Sequence, residues 1–140
     1  MHVQPYLFFN GRCEEAIEFY RSALGAKDVN IMRFKEAPPS AQAGMFPPGG
    51  ENKVMHANFR IGDATILASD GECKGDLKFE GFSLTITADN GSDAERLFNA
   101  ISNGGQVVMP LTKTFFSPAF GMAKDRFGVH WMVMVPGQQP

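Results

Sequence analysis

Phe116-Ser-Pro-Ala-Phe-Gly-Met-Ala-Lys-Asp-Arg-Phe-Gly-Val-His-Trp-Met-Val-Met-Val135 reads as a strand, a tight turn at Arg126-Phe127-Gly128, and a second strand apolar on both faces. Gly128 supplies the positive φ such a turn needs, and Val129 to Val135 are β-branched, aromatic or flexible apolar residues. A strand apolar on both faces must be covered on both. The hairpin is therefore expected in mid-sheet, with a cavity or a partner on one side. The same plan recurs at Val54 to Ile61, Gly62-Asp63 and Ala64 to Ser69. Two such hairpins in one chain point to an internal duplication.

Upstream of each hairpin the pattern is also shared. Val3 to Phe9 is a predicted strand, with Pro5 confined to its start because proline cannot donate to a ladder. Asn10-Gly11 is the predicted helix entry, with Asn10 as cap and Glu14 and Glu15 in the first turn, where carboxylates suit the helix dipole. Ala16, Ile17, Tyr20, Ala23 and Leu24 recur at helical spacing with Phe19 on their flank, and Gly25 ends the helix. Val29 to Lys35 is the next predicted strand. In the second half, Phe82, Leu84, Ile86 and Ala88 alternate with Ser83, Thr85 and Thr87. Ser92-Asp-Ala-Glu95 has the capping-box pattern, and Ala94, Leu97, Phe98 and Ile101 form one helical face closed by Gly104-Gly105. Gln106 to Thr112 is a strand. Phe19 and Phe98, Gly25 and Gly104, and Val3 and Phe82 share one offset. Each half thus reads β-α-β-β-β. The expectation is one α+β domain over 1–140, with a first module at 1–70, a polar linker at 71–81 and a second module at 82–136.

Composition narrows the function classes. Thirteen Lys and Arg stand against 15 Asp and Glu, so no basic patch argues for nucleic acid or an anionic membrane. No apolar run approaches a bilayer span, and Met1-His-Val-Gln-Pro carries no basic stretch before an apolar core, so a cytoplasmic protein is expected. Cys13 and Cys73 form neither a disulfide framework nor a zinc site and read as reduced thiols. Cys13 lies near a helix start, a setting that can activate a thiol; a plain first-turn thiol is preferred. Ala37 to Lys53 is a Pro- and Gly-rich loop with Met45 and Phe46 stranded in it. It is read as a lid over a pocket, a cover for a neighbouring subunit, or an idle connection.

Two β-α-β-β-β halves in one domain resemble the vicinal oxygen chelate superfamily, which includes glyoxalase I, extradiol dioxygenases and bleomycin-resistance proteins. Pro5-Tyr-Leu-Phe-Phe-Asn-Gly, Glu15-Ala-Ile-Glu-Phe-Tyr, Val54-Met-His-Ala, Ile66-Leu-Ala-Ser-Asp70 and Asp125-Arg-Phe-Gly-Val-His-Trp-Met are similar to its PhnB-type branch. The resemblance runs over nearly the whole chain. It implies curved sheets sheltering concave surfaces, helices packed outside, and a homodimer. In metal-dependent members four ligands, usually His, Glu, His or Gln, and Glu, hold a divalent cation that takes two substrate oxygens. Carried over, those positions fall at Pro5 or Gln4, at Leu67 or Ser69, at Ser83 and at Met132, none with a carboxylate or imidazole. No cofactor is therefore expected, and a divalent metal is disfavoured.

The resemblance places the polar parity of Val54 to Ile61, which is His56, Asn58 and Arg60, toward the concavity. His56 is the best catalytic candidate, as base or hydrogen-bond donor, weighed against a structural histidine. Tyr6, His56, Ser69, Ser83, Phe116 and Met132 are the expected ligand lining, with Met134 beside them and Trp131 assigned to the core. Asp70 reads first as turn chemistry and second as a ligand-orienting group. Ser83, Thr85 and Thr87 form a hydroxyl row, and His130, Lys124 and Arg126 are expected near the surface. Asn90-Gly91-Ser92 matches a glycosylation acceptor, which has no meaning without secretion. Proteins of this branch are sometimes labelled demethylubiquinone methyltransferases, yet no glycine-rich loop here follows the Rossmann pattern. The expected function is binding of a small organic molecule. The alternatives are a lyase, isomerase or dioxygenase with a metal site relocated to His56 with Asp70 or His130, and a degenerate dimeric interaction module.

Overall fold

The structure, a computed structural model, describes residues 1–42, 48–71 and 78–137. Met45, Phe46, Cys73 and most of the predicted 71–81 linker lie outside the described residues. The chain divides into two compact units, Met1–Leu77 and Lys78–Pro140. The first contains β1 (Tyr6–Phe8), α1 (Cys13–Leu24), β2 (Lys27–Arg33), a 3-10 turn at Phe34–Glu36, the single turn α2 (Pro39–Gln42), β3 (Val54–Ile61) and β4 (Ala64–Ser69). The second contains β5 (Leu84–Thr87), α3 (Gly91–Ser102), β6 (Gln106–Thr112), β7 (Phe120–Lys124) and β8 (His130–Met134). The sheets run β1-β4-β3-β2 and β5-β8-β7-β6. In each, the outer first strand is parallel to its neighbour and the remaining pairs are antiparallel. The hairpin β7–β8 is central, as its two apolar faces require. The offset read from the sequence carries β2 onto β6 end to end.

Strand alternation puts one face of each sheet against its helix. In the first unit Tyr20 of α1 stacks on Phe59 at 6.1 Å and meets Phe9 at 6.3 Å, over buried Ala57 and Ala68. In the second, Phe98 of α3 presses on β7 at Gly121. A Cβ there would lie 2.8 Å from Phe98 Cε2 and 3.0 Å from Leu111 Cα, so the helix can approach only because that residue has no side chain.

Several boundaries depart from the sequence expectation. β1 and β5 are shorter than predicted. Val3 is 94% exposed, and the ladder begins at the Pro5 carbonyl, which accepts from Leu67 N at 3.0 Å. β2 starts at Lys27 and yields to the 3-10 turn after Arg33. Asn10 does not cap α1: its φ is +50°, and the cap position is Arg12, whose side chain donates to the Glu15 carboxylate and accepts from no backbone N–H of the helix. Nor does Ser92 cap α3; Asn90 does, its Oδ1 accepting from Asp93 N at 2.8 Å. Gly25 ends α1 in the left-handed region, as predicted.

The missing cap of α1 comes from the other end of the unit. Asp70, just past β4 and 2% exposed, accepts from Gly11 N and Cys13 N through Oδ1 and from Val54 N through Oδ2, each at 2.8 Å. One carboxylate thus joins the helix start, the first residue of β3 and the end of β4. Its role is therefore wider than the local turn chemistry read from the sequence. Glu14 adds a second tie, forked by Arg33 of β2 at 3.2 and 2.7 Å, whose hydrogen bonds hold its carboxyl below the usual range. In the second unit Asp125, also buried, accepts from Phe127 N, Val129 N and the Trp131 indole and so shapes the β7–β8 turn. Arg126 is exposed and donates to the Asn103 carbonyl beyond α3.

Removing the Asp70 carboxylate leaves three backbone donors without their acceptor. Asp70→Ala should cost roughly 3 kcal/mol of unfolding free energy, with Asp70→Asn losing less because one acceptor oxygen survives. Urea denaturation of the three proteins checks this; a loss in Asp70→Ala below about 1 kcal/mol would contradict the assigned role.

Candidate functional site

The candidate site lies on the sheet faces turned away from the helices. On the first unit, β1 presents Tyr6 and Phe8, 37% and 47% exposed, with ring centroids 4.9 Å apart. His56 of β3 joins them: its Nδ1 is 3.2 Å from the Tyr6 hydroxyl, and the two rings are 5.7 Å apart. When that hydroxyl donates, a neutral imidazole carries its proton on Nε2. Met32, opposite His56 on β2, extends the apolar rim. Ser69 shares this parity but is buried, and its Oγ accepts from Gly71 N at 3.1 Å. Asn30 Nδ2 donates to Asn58 Oδ1 at 3.0 Å, and Arg60 lies 3.7 Å from Asp28. The face is therefore aromatic at one end and polar at the other.

On the second unit the far face carries thioethers. Met132 and Met134 of β8 stand opposite Met122 and Phe120 of β7, and Met122 stands opposite Met109 of β6. Phe116 packs edge-on to Phe120 at 5.0 Å. Thr85 is the residue that faces Met132, with its Oγ1 3.8 Å from the sulfur; Ser83 lies just before β5. Trp131 is buried, with its indole bonded to Asp125.

The structure thus brings Tyr6 and His56 together in the first unit. It sets Met132 and Phe116 on the methionine-lined side of the second. Ser69 and Ser83 are not brought into contact with either group by any described hydrogen bond. Phe8, Met109, Met122 and Phe120 were missed. Phe8 was legible from its shared parity with Tyr6, whereas Met109 depends on a strand irregularity that alternation does not reveal. A cleft of about 580 Å³ also opens between α3 and β6, lined by Glu95, Phe98, Val107, Leu111 and Lys113 among others. None of the six expected lining residues reaches it. We place the site on the far faces because they hold the aromatic, imidazole and thioether groups that can grip a ligand. The cleft offers one aromatic ring, Phe98, and the charged pair Glu95 and Lys113, with no imidazole or thioether in its lining.

Residues 1–134 match the 3-demethylubiquinone-9 3-methyltransferase family. The chain is 35% identical over 147 residues to protein YjdN of Escherichia coli K12, covering 100% of this chain and 99% of YjdN. It is similar to the solved PhnB protein of Bacillus cereus, with a TM-score of 0.80 and 28% identity over 96% of this chain and 99% of that one. A glyoxylase/bleomycin resistance protein/dioxygenase domain from Frankia superposes with a TM-score of 0.67 at 14% identity, over 100% of this chain and 95% of that one. That likeness is one of fold: α+β, with two β-α-β-β-β modules.

Cys13 is not a reactive group. It is fully buried in the first turn of α1, and burial drives its thiol pKa far up, with the Asp70 and Glu14 carboxylates adding to the shift. In Cys73→Ser protein, Cys13 should resist a thiol reagent until denaturant is added. The folded thiol keeps its proton where the unfolded one loses it. Cys13 therefore lowers stability as pH rises past about 8.5, by at most about 1.4 kcal/mol per pH unit, and Cys13→Ala should flatten that fall. Labelling in native buffer, or equal slopes for the two proteins, would contradict this.

Proposed function

Since the chain belongs to the 3-demethylubiquinone-9 3-methyltransferase family, in the PhnB-like branch of the vicinal oxygen chelate superfamily, we propose that it binds a small, partly apolar organic molecule on the far faces of its sheets without a divalent-metal quartet. The observation that carries this reading is the Tyr6, Phe8 and His56 cluster: two exposed rings beside an imidazole whose Nδ1 lies 3.2 Å from the Tyr6 hydroxyl. Rings of this kind stack on flat apolar ligands, and the imidazole supplies one directional hydrogen bond. The methionine-lined face of the second unit offers an adaptable surface of the same character.

The residues at the superfamily's ligand positions do not fit a hard or borderline divalent cation. Leu67 has no donor, the Ser69 hydroxyl is buried against Gly71 N, Ser83 is neutral and Met132 is a soft thioether. In a site relocated to His56 and Asp70 the buried carboxylate would be shared with the backbone N–H groups of Gly11, Cys13 and Val54. Among the described residues no group of three His, Cys, Asp or Glu side chains converges. The lyase, isomerase and dioxygenase readings, with a site at His56 and Asp70 or His130, gain no support from such a cluster among the described residues. The family's methyltransferase description likewise finds no Rossmann-type cofactor loop in this sequence.

We also read the chain as a cytoplasmic homodimer. Supporting it, edge strand β6 exposes Val107 and Val108, and no helix among the described residues is long and apolar enough to cross a membrane.

Thermal melts against a panel of flat aromatic and cationic compounds, run in a chelator, test the binding reading. A ligand at 100 times its Kd adds about 2.7 kcal/mol, a shift of several degrees. For compounds that bind the first unit, Tyr6→Ala should weaken affinity about tenfold, the worth of one aromatic contact. A flat response across the panel would overturn the reading.

A further inference from the structure

Met109, Met122 and Met132 stand side by side across β6, β7 and β8. Met109 is paired with Met122, Met122 with Met132, and Met132 with Thr85 of β5. Cross-strand partners share a face, with Cβ atoms roughly 5 Å apart. All three methionines are half-buried. The row is not a product of simple alternation. Val107 is opposite Ala123, which is buried on the helix side, and unbroken alternation would put Met109 on that side too. A register shift between Val107 and Met109 turns Met109 to the far face, opposite Met122.

Each methionine ends in a polarizable thioether on a chain with three rotatable bonds, so three sulfurs at this spacing can converge on one ion once the Met132 sulfur turns from Thr85 Oγ1, 3.8 Å away on β5, toward Met122. Thioethers prefer soft monovalent Cu(I) to the hard divalent cations that carboxylates and carbonyls hold. Lys124, paired with His130, lies on the same face two residues from Met122, about 7 Å along the strand. A single positive charge tolerates that neighbour better than a double one. We propose that the Met109, Met122 and Met132 row is a binding site for a soft monovalent cation of the Cu(I) class. The proposal stands on strand register, and its silver readout is separate from the melting panel, although Met132 also belongs to the face proposed above for an organic ligand.

Silver(I) is the redox-inert probe. Cys73→Ser protein carrying methyl-13C methionine is titrated with silver nitrate in chloride-free buffer, and each methionine methyl is followed by NMR. The Met109, Met122 and Met132 methyls should move together and saturate at one equivalent. Met122→Leu and Met132→Leu, near-isosteric changes whose folding the same spectra report, should each weaken silver binding at least tenfold, while Met55→Leu leaves it unchanged. Three unmoved methyls, shifts matched by Met32 and Met55, or wild-type affinity in folded Met122→Leu protein would each overturn the proposal.

Discussion

One helix packs on one face of each four-stranded sheet, and that contact fixes the parity of every strand. Tyr20 on Phe59 and Phe98 over Gly121 require the small and aromatic residues of β3 and β7 to point toward the helices. A slip of one residue would bury His56 or Met122 and expose Phe59 or Ala123. Two buried carboxylates support the arrangement. Asp70 binds helix start, strand start and strand end in the first unit, and Asp125 holds the β7–β8 turn and the Trp131 indole in the second. With the helix side settled, Tyr6, Phe8 and His56 in one unit and the methionines in the other are left facing away.

The hairpins were legible in the sequence because their signals are local and agree. Val54 to Ile61 alternates, Gly62 and Gly128 adopt the positive φ their turns demand, and Val129 to Val135 is apolar on both parities. The duplication was legible from a common offset. The helix caps were not. Asn10-Gly11 has the composition of a cap, but the acceptor that serves α1 is nearly sixty residues away in sequence, and no short-range rule finds it. Asn90 was hidden because Ser92 with Glu95 offered an equally good local pattern. Strand ends were overextended where apolar residues such as Val3 and Phe82 remain exposed.

The candidate site was legible to the extent that parity alone decides it. Tyr6 and His56 meet because β1 and β3 flank β4 in one sheet, an arrangement implied by the family resemblance. Ser83 lies just before β5, and Thr85 is the residue paired with Met132. Met109 was invisible because a register shift overrides its parity. The resemblance assigns the metal-ligand positions to Gln4 or Pro5, Leu67 or Ser69, Ser83 and Met132, and the aromatic pair Tyr6 and Phe8 lies beside the first of them. Such groups suit stacking, dispersion and soft-ion contacts rather than dehydration of a hard cation.

The central claim is that organic ligands bind these faces without help from a divalent ion. Calorimetric titration of a compound that binds, before and after exhaustive dialysis of the protein against EDTA, tests it most directly. The account predicts the same Kd within twofold. A tenfold or greater loss, restored by adding back one equivalent of a divalent cation, would contradict it.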